Sequence, residues 1–254
     1  MRPLISLALL AFPWPLTAWD TLPHQKITWA ALDSLPPDIL DSWGREVEPL
    51  VSIYCMYPDR YTEMDRFGFV RKSRGPRTAA EIRLYCVRPD GQPIHGATGD
   101  RDLDTASLVY LFERIVTSIS VNRPGEAARY AGVLSHFIAD SLSPPHSVDP
   151  EELLGMADGR NVHSDIERSM PEFTLSARQP RILGEHLVPA ARAMLEQCYA
   201  GAERNRKELP AMVKAACARD ERTLDTYRLR AGTRTAEILA DALYSLVRLA
   251  DSAR

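Results

Sequence analysis

Beyond its first residues, the 254-residue sequence has no apolar run approaching the roughly 20 residues that a membrane-spanning helix needs. It also has no internal repeat, no low-complexity tract and no linker that would divide it, so a single domain is expected. A charge excess is missing too. The formal net charge is -3 in a composition that is 45% apolar, which fits a globular protein and excludes little else. The one concentrated apolar run, Ile5 to Phe12, follows Arg2 and precedes Leu16-Thr17-Ala18. A basic start, a short apolar region and a small-residue site read as an export signal over residues 1–18, with a secreted or periplasmic domain over 19–254 that begins at Trp19. Pro13 and Pro15 interrupt the run and argue against a retained anchor.

Cysteine is scarce, with Cys55, Cys86, Cys198 and Cys217 in the whole chain. An even number in an exported protein makes disulfides plausible, and three pairings are open. Cys198 with Cys217 is favoured, because they lie almost symmetrically about a helical-hairpin turn read near Lys207 to Leu209, with Pro210 suited to the first turn of the second helix. Cys55 would then pair with Cys86. Free buried thiols acting as small hydrophobes are the alternative.

Helical periodicity dominates the rest. Helices are expected over Pro23 to Leu35, Thr105 to Val121, Gly125 to Leu142, a short segment carrying His163 and Glu167, Leu187 to Ala202, Pro210 to Ala218 and Leu224 to Ala250. This is an all-α, multi-helix domain. Cys55 to Asp104 is different, rich in Pro, Gly and Arg, and reads as one long irregular excursion with at most a short strand around Ile82 to Val87. From Arg60 to Ile94 it holds eight Arg or Lys against four Asp or Glu, so it is locally basic. A solvated loop accounts for that; so does a rim that attracts phosphate-bearing substrates.

Chemistry concentrates in the histidines. His136 and Asp140 are four residues apart on an apolar helical pattern, so both project from one face and can hold one metal ion. Pro144 and Pro145 stop that helix and deliver His146 from a stiff turn. His163 and Glu167 repeat the four-residue spacing further on. His186 has no comparable partner and is assigned no role, and Ser164 is read as helix surface.

The run His136, Asp140, Pro144, His146, followed by His163 and Glu167, resembles the signature of the zinc-dependent phospholipase C and single-strand nuclease (nuclease P-one/S-one) superfamily. The resemblance extends to Trp19 with His24 five residues later and to Asp59 in a Tyr-Pro-Asp context. It implies an all-α fold with a trinuclear zinc cleft. On that resemblance one zinc ion is held by Asp59, His95, His136 and Asp140. A second is held by His146, His163 and Glu167. The third takes the amino group and carbonyl oxygen of Trp19, with His24 and a bridging Asp140. Asp59 is also the implied catalytic carboxylate, orienting or deprotonating the attacking water.

The implied activity is hydrolysis of a phosphodiester by zinc-activated water. Glu167 resembles the phospholipase branch, whereas Leu22 and Arg60 stand where a choline-specific head-group site has an acidic residue and an aromatic. Pro150 stands where the nuclease branch has an asparagine. The expectation is therefore a phospholipase C-like phosphodiesterase acting on phospholipid at a membrane surface. A nuclease acting on single-stranded nucleic acid is the alternative within the superfamily, and a non-catalytic secreted zinc-binding protein is the alternative outside it. No obligate protein partner is expected, and the protein is expected to be a monomer.

Overall fold

A computed structural model describes residues 21–61, 79–91, 94, 105–167 and 174–253. Among these the protein is helical, with α1 (Thr21–Asp33), α2 (Pro37–Asp41), α3 (Val47–Ser52), α4 (Ala79–Cys86), α5 (Thr105–Ser120), α6 (Pro124–Ser141), α7 (Pro150–Met156), α8 (His163–Glu167), α9 (Leu187–Ala218) and α10 (Glu221–Ser252). Three 3-10 turns, Gly44–Glu46, Tyr54–Met56 and Pro144–Ser147, and a helical stretch at 57–61 complete the regular structure. No described helix is long and apolar enough to cross a membrane.

α6 runs through the middle. Every residue from Tyr130 to Asp140 is buried, so this helix has no solvent face over three turns and is walled by α1, α3, α5, α10 and the Tyr54–Met56 turn. Small residues allow that crowding. At Gly132 an added Cβ would lie 2.5 Å from the Tyr54 backbone carbon, closer than atoms can pack, so only glycine lets the Tyr54–Met56 turn lie directly on α6. α9 and α10, 32 residues each, form a long antiparallel hairpin against α1, α5 and α6. Its turn uses Arg219 in the left-handed region (φ 56°) to end α9, and the Asp220 carboxylate accepts from the Thr223 amide (3.1 Å) to cap α10.

The apolar interior has two parts. The larger one gathers α1 to α6 around the hairpin. The smaller one packs Val148, Leu153, Val162 and Ile166 against Leu209, Met212, Val213 and Leu224 near the hairpin turn.

Four expectations need correction. Lys207 to Leu209 is not a turn: α9 is continuous there, and Pro210 lies inside it on an exposed face, where the backbone carbonyl it leaves unmatched can meet water. Cys198 and Cys217 therefore sit on one helix, about 28 Å apart at 1.5 Å per residue, far beyond disulfide reach. All four cysteines are free thiols; Cys55, Cys86 and Cys198 are buried, and burial pushes the Cys55 and Cys198 thiols up to about 12. Ile82 to Val87 is not a strand but belongs to α4 and the residue after it, because burying Ile82, Tyr85 and Cys86 follows i, i+3, i+4 spacing and leaves Leu84 outside. The described parts of the expected irregular excursion are thus largely helical, while 62–78 and most of 92–104 lie outside the described residues.

The Gly132 contact is directly testable. Gly132→Ala should cost about 1–3 kcal/mol in urea unfolding despite alanine's better helix propensity, because the Tyr54–Met56 turn must move off α6. An unchanged midpoint would show that the contact is slack.

Candidate metal centre

Two clusters of imidazole and carboxylate groups are buried beside each other at the C-terminal end of α6. In the first, α6 supplies His136 and Asp140 one turn apart, with Asp140 Oδ2 3.1 Å from His136 Nε2. α1 supplies His24, whose Nε2 is 3.3 Å from Asp140 Oδ1, so each oxygen of this one carboxylate faces a different imidazole. The His24 and His136 rings stack with centroids 4.2 Å apart and planes 7° from parallel. Thr28 ties the helices here: its hydroxyl donates to the His24 carbonyl (2.8 Å) and lies 2.6 Å from the Ser135 hydroxyl. The 57–61 stretch contributes Asp59, with Oδ1 3.4 Å from His136 Nε2 and its side chain 24% exposed.

The protonation chemistry of this set is constrained by one contact. His136 Nδ1 is 2.8 Å from the Cys55 carbonyl oxygen, which can only accept, so the Nδ1 proton is spoken for. A neutral His136 then directs the Nε2 lone pair at two carboxylates, acceptor against acceptors. Either a proton or a cation has to occupy that space. Burial opposes charging the ring, yet Asp140 and Asp59 together hold the His136 imidazole well above its ordinary value. Both ring nitrogens of His24 are buried without a hydrogen-bond partner among the described residues. Two imidazoles and two carboxylates, with ligand atoms of His24, Asp59 and His136 within 4.8 Å of one another, form a nitrogen and oxygen set that could hold a metal ion.

The second cluster is His146, His163 and Glu167, again with ligand atoms within 4.8 Å of one another. The Pro144–Ser147 turn presents His146, with Nε2 3.5 Å from Glu167 Oε1. α8 places His163 and Glu167 one turn apart, with Nε2 to Oε2 at 2.8 Å. Just before that helix the Asn161 side-chain oxygen accepts from the His163 amide (3.2 Å), a local turn that leads into it. Ser143 donates to Glu167 Oε1 at 2.6 Å and orients the carboxylate. Burial raises the Glu167 carboxyl to about 7, against hydrogen bonding and charge from His163 that lower it; Asp140 adds a repulsion that also raises it. The two clusters therefore share one electrostatic neighbourhood.

Seven of the nine expected ligands are thus brought together: His24, Asp59, His136 and Asp140 in one cluster, His146, His163 and Glu167 in the other. Trp19 and His95 lie outside the described residues. His24, expected to share Asp140 with a separate ion, does lie against Asp140 (3.3 Å), and its ring also stacks on His136 within reach of Asp59. His186 precedes α9, exposed and in neither cluster, and Ser164 is exposed on α8. The sequence reading missed Ser143 and the Cys55 carbonyl. Ser143 had a signal, standing just before Pro144 in the ligand stretch. The Cys55 carbonyl had none, since it reaches His136 across 81 positions.

A pH dependence follows for the metal-free protein. An unfolded glutamate loses its proton near 4.5, whereas buried Glu167 keeps it to about 7. The stabilisation from a protonated Glu167 is whole below about 4.5 and is lost as pH rises through about 7. Urea midpoints of the metal-free wild type should fall across that window relative to Glu167→Gln and run parallel above it, and a saturating divalent cation should remove the fall by stabilising the carboxylate. Parallel curves throughout would show that Glu167 is ionised in the metal-free fold.

Comparison with family models, with curated proteins and with solved structures yields no match, so the chemistry of this centre rests on its own geometry.

Proposed function

We propose that the protein is an exported, zinc-dependent phosphodiesterase of the phospholipase C and single-strand nuclease type, hydrolysing a phospholipid head-group ester. The observation that carries this reading is Asp140, one buried carboxylate with an imidazole against each oxygen, flanked by the more open Asp59 and by a second His/Glu cluster. Thiolate is absent from both described ligand sets, which favours a hydrolytic role over a closed structural site. In this reading His24, Asp59, His136 and Asp140 hold zinc on one side, and His146, His163 and Glu167 hold it on the other. Trp19 and His95 complete the set. Zinc bound there would neutralise charge on the phosphoryl oxygens and lower the pKa of a water towards about 7.

The remaining tasks fall to the chain. Asp59, the most exposed of the described carboxylates in the two clusters, accepts the proton of the attacking water in this reading. The Cys55 carbonyl holds His136 in one tautomer, and Ser143 keeps a Glu167 oxygen turned towards His146. The locally basic stretch from Arg60 to Ile94 favours an anionic substrate, and it is also the feature that favours single-stranded nucleic acid as the second reading.

The test is turnover of a bis-aryl phosphodiester by zinc-replete protein with and without chelator, followed by phospholipid vesicles and single-stranded DNA side by side. Chelator-sensitive turnover is expected, with the vesicles cleaved faster. Full zinc loading without turnover would leave a non-catalytic zinc protein. Asp140→Asn should empty more than one zinc position and His163→Ala mainly one, each lowering turnover by about 100-fold or more. Equal losses of a single equivalent would remove the bridging role of Asp140.

A further inference from the structure

The α9–α10 hairpin supplies no ligand to either described cluster, yet it grips both arms of the second. The described part of α8, His163–Glu167, carries two of the three ligand residues of that cluster. Arg228 of α10, 2% exposed, holds the α8 backbone between those ligands: Nε donates to the Ile166 carbonyl at 2.9 Å and Nη2 donates to the Asp165 carbonyl. Its Nη1 donates to Asp225 (2.7 Å) and Glu221 (3.0 Å), which balance the buried charge so that it does not stand as an unpaired cation near a metal site. On the other arm, Asn205 of α9 donates from Nδ2 to the Leu142 carbonyl at 2.5 Å, the residue before Ser143, and its own Oδ1 accepts from Arg234. Gly201 brings α9 close to the same place, where a Cβ would lie 2.5 Å from a Leu142 methyl carbon.

The geometry points to Arg228 as the positioning residue of the His146–His163–Glu167 site, with Asn205 as its counterpart on the Leu142–His146 arm. The guanidinium fork spans two successive carbonyls while pairing with two carboxylates, a pattern that the three donors of a lysine on a single nitrogen cannot reproduce. Arg228 thus fixes the backbone at Asp165 and Ile166, and with it the reach of Glu167 towards both His146 and His163. The assignment rests on the zinc reading given above for its metal arm, and on the fold alone for its backbone arm.

Two readouts keep these apart. In the metal-free protein, Arg228→Lys should speed hydrogen exchange of the α8 amides by tenfold or more and leave the amides of α6 unchanged. In the metal-bound protein, chelator competition should show the zinc equivalent lost in His163→Ala bound about 10–100-fold more weakly, with the remaining zinc unaffected, and the visible spectrum of cobalt at that site should shift. Asn205→Ala should weaken the same equivalent and serves if Arg228 variants fold poorly. Arg178→Lys is the control for simple destabilisation, because Arg178 forms a bidentate pair with buried Asp241 (2.9 and 2.8 Å) and contacts neither cluster; it should lower the urea midpoint without moving zinc affinity or the cobalt spectrum. Wild-type zinc affinity, cobalt spectrum and α8 exchange in folded Arg228→Lys would overturn the proposal. A wild type that binds no zinc, with α8 exchange still dependent on Arg228, would sink the zinc reading and leave the positioning of α8 standing.

Discussion

The hydrogen bond from His136 to the Cys55 carbonyl governs the chemistry of the first cluster, and it exists because α6 is crowded. Gly132 lets the Tyr54–Met56 turn settle on the helix, and one helical turn later the same contact places a carbonyl oxygen against His136 Nδ1. The bond leaves Nε2 facing Asp140 and Asp59. Buried carboxylates set against an imidazole lone pair are costly unless a proton or a cation lies among them. A helix buried on all sides has thus been built around a gap that demands positive charge.

The surrounding helices hold that costly arrangement in place. α1 brings His24 to Asp140 and is pinned to α6 through Thr28 and Ser135, with Ile27, Ala31 and Leu32 packed in the main core. The second cluster lies where the two apolar cores meet, since Leu142 belongs to one and Ile166 to the other. The hairpin runs along both. Asp241 receives Arg178 and the Arg181 amide (2.7 Å), and Ser245 receives the Leu183 amide (2.8 Å), so the described chain leading into α9 is tied to the hairpin without a disulfide. Asp241 and Ser245 are thus matched, whereas both buried ring nitrogens of His24 in the first cluster have no hydrogen-bond partner among the described residues.

What was legible in the sequence is what depends on a single helical period. His136 with Asp140 and His163 with Glu167 are neighbours because residues four apart share a face, and Pro144-Pro145 could only end α6. The stacking of His24 on His136 was not legible, because it depends on how α1 crosses α6. Pro210 misled for a physical reason: proline is a helix breaker on average, but on an exposed face of a helix fixed by buried Leu209, Met212 and Val213 its missing amide is tolerated. The cysteine pairing failed with it, since it assumed that Pro210 opened a new helix. The segment from Ile82 to Cys86 has an apolar pattern short enough to suit either period, and tertiary burial of Tyr85 and Cys86 decided for helix.

The two His-x-x-x-acid pairs are alike in spacing and opposite in where they hold a proton. At His136 two carboxylates press on one ring whose other nitrogen is already committed, so positive charge collects on the imidazole. At Glu167 burial dominates, and the proton moves to the carboxyl. A cation entering either cluster displaces a proton, from nitrogen in the first and from oxygen in the second, so metal binding at both weakens in acid. The clusters are also coupled. Part of what raises Glu167 is the charge of Asp140, and a cation on Asp140 cancels that repulsion, bringing Glu167 closer to ionisation before any ion reaches it. An ion in the first cluster would thus ease the ionisation of Glu167 while repelling a second cation, so the coupling between the clusters is the difference of two opposed electrostatic effects.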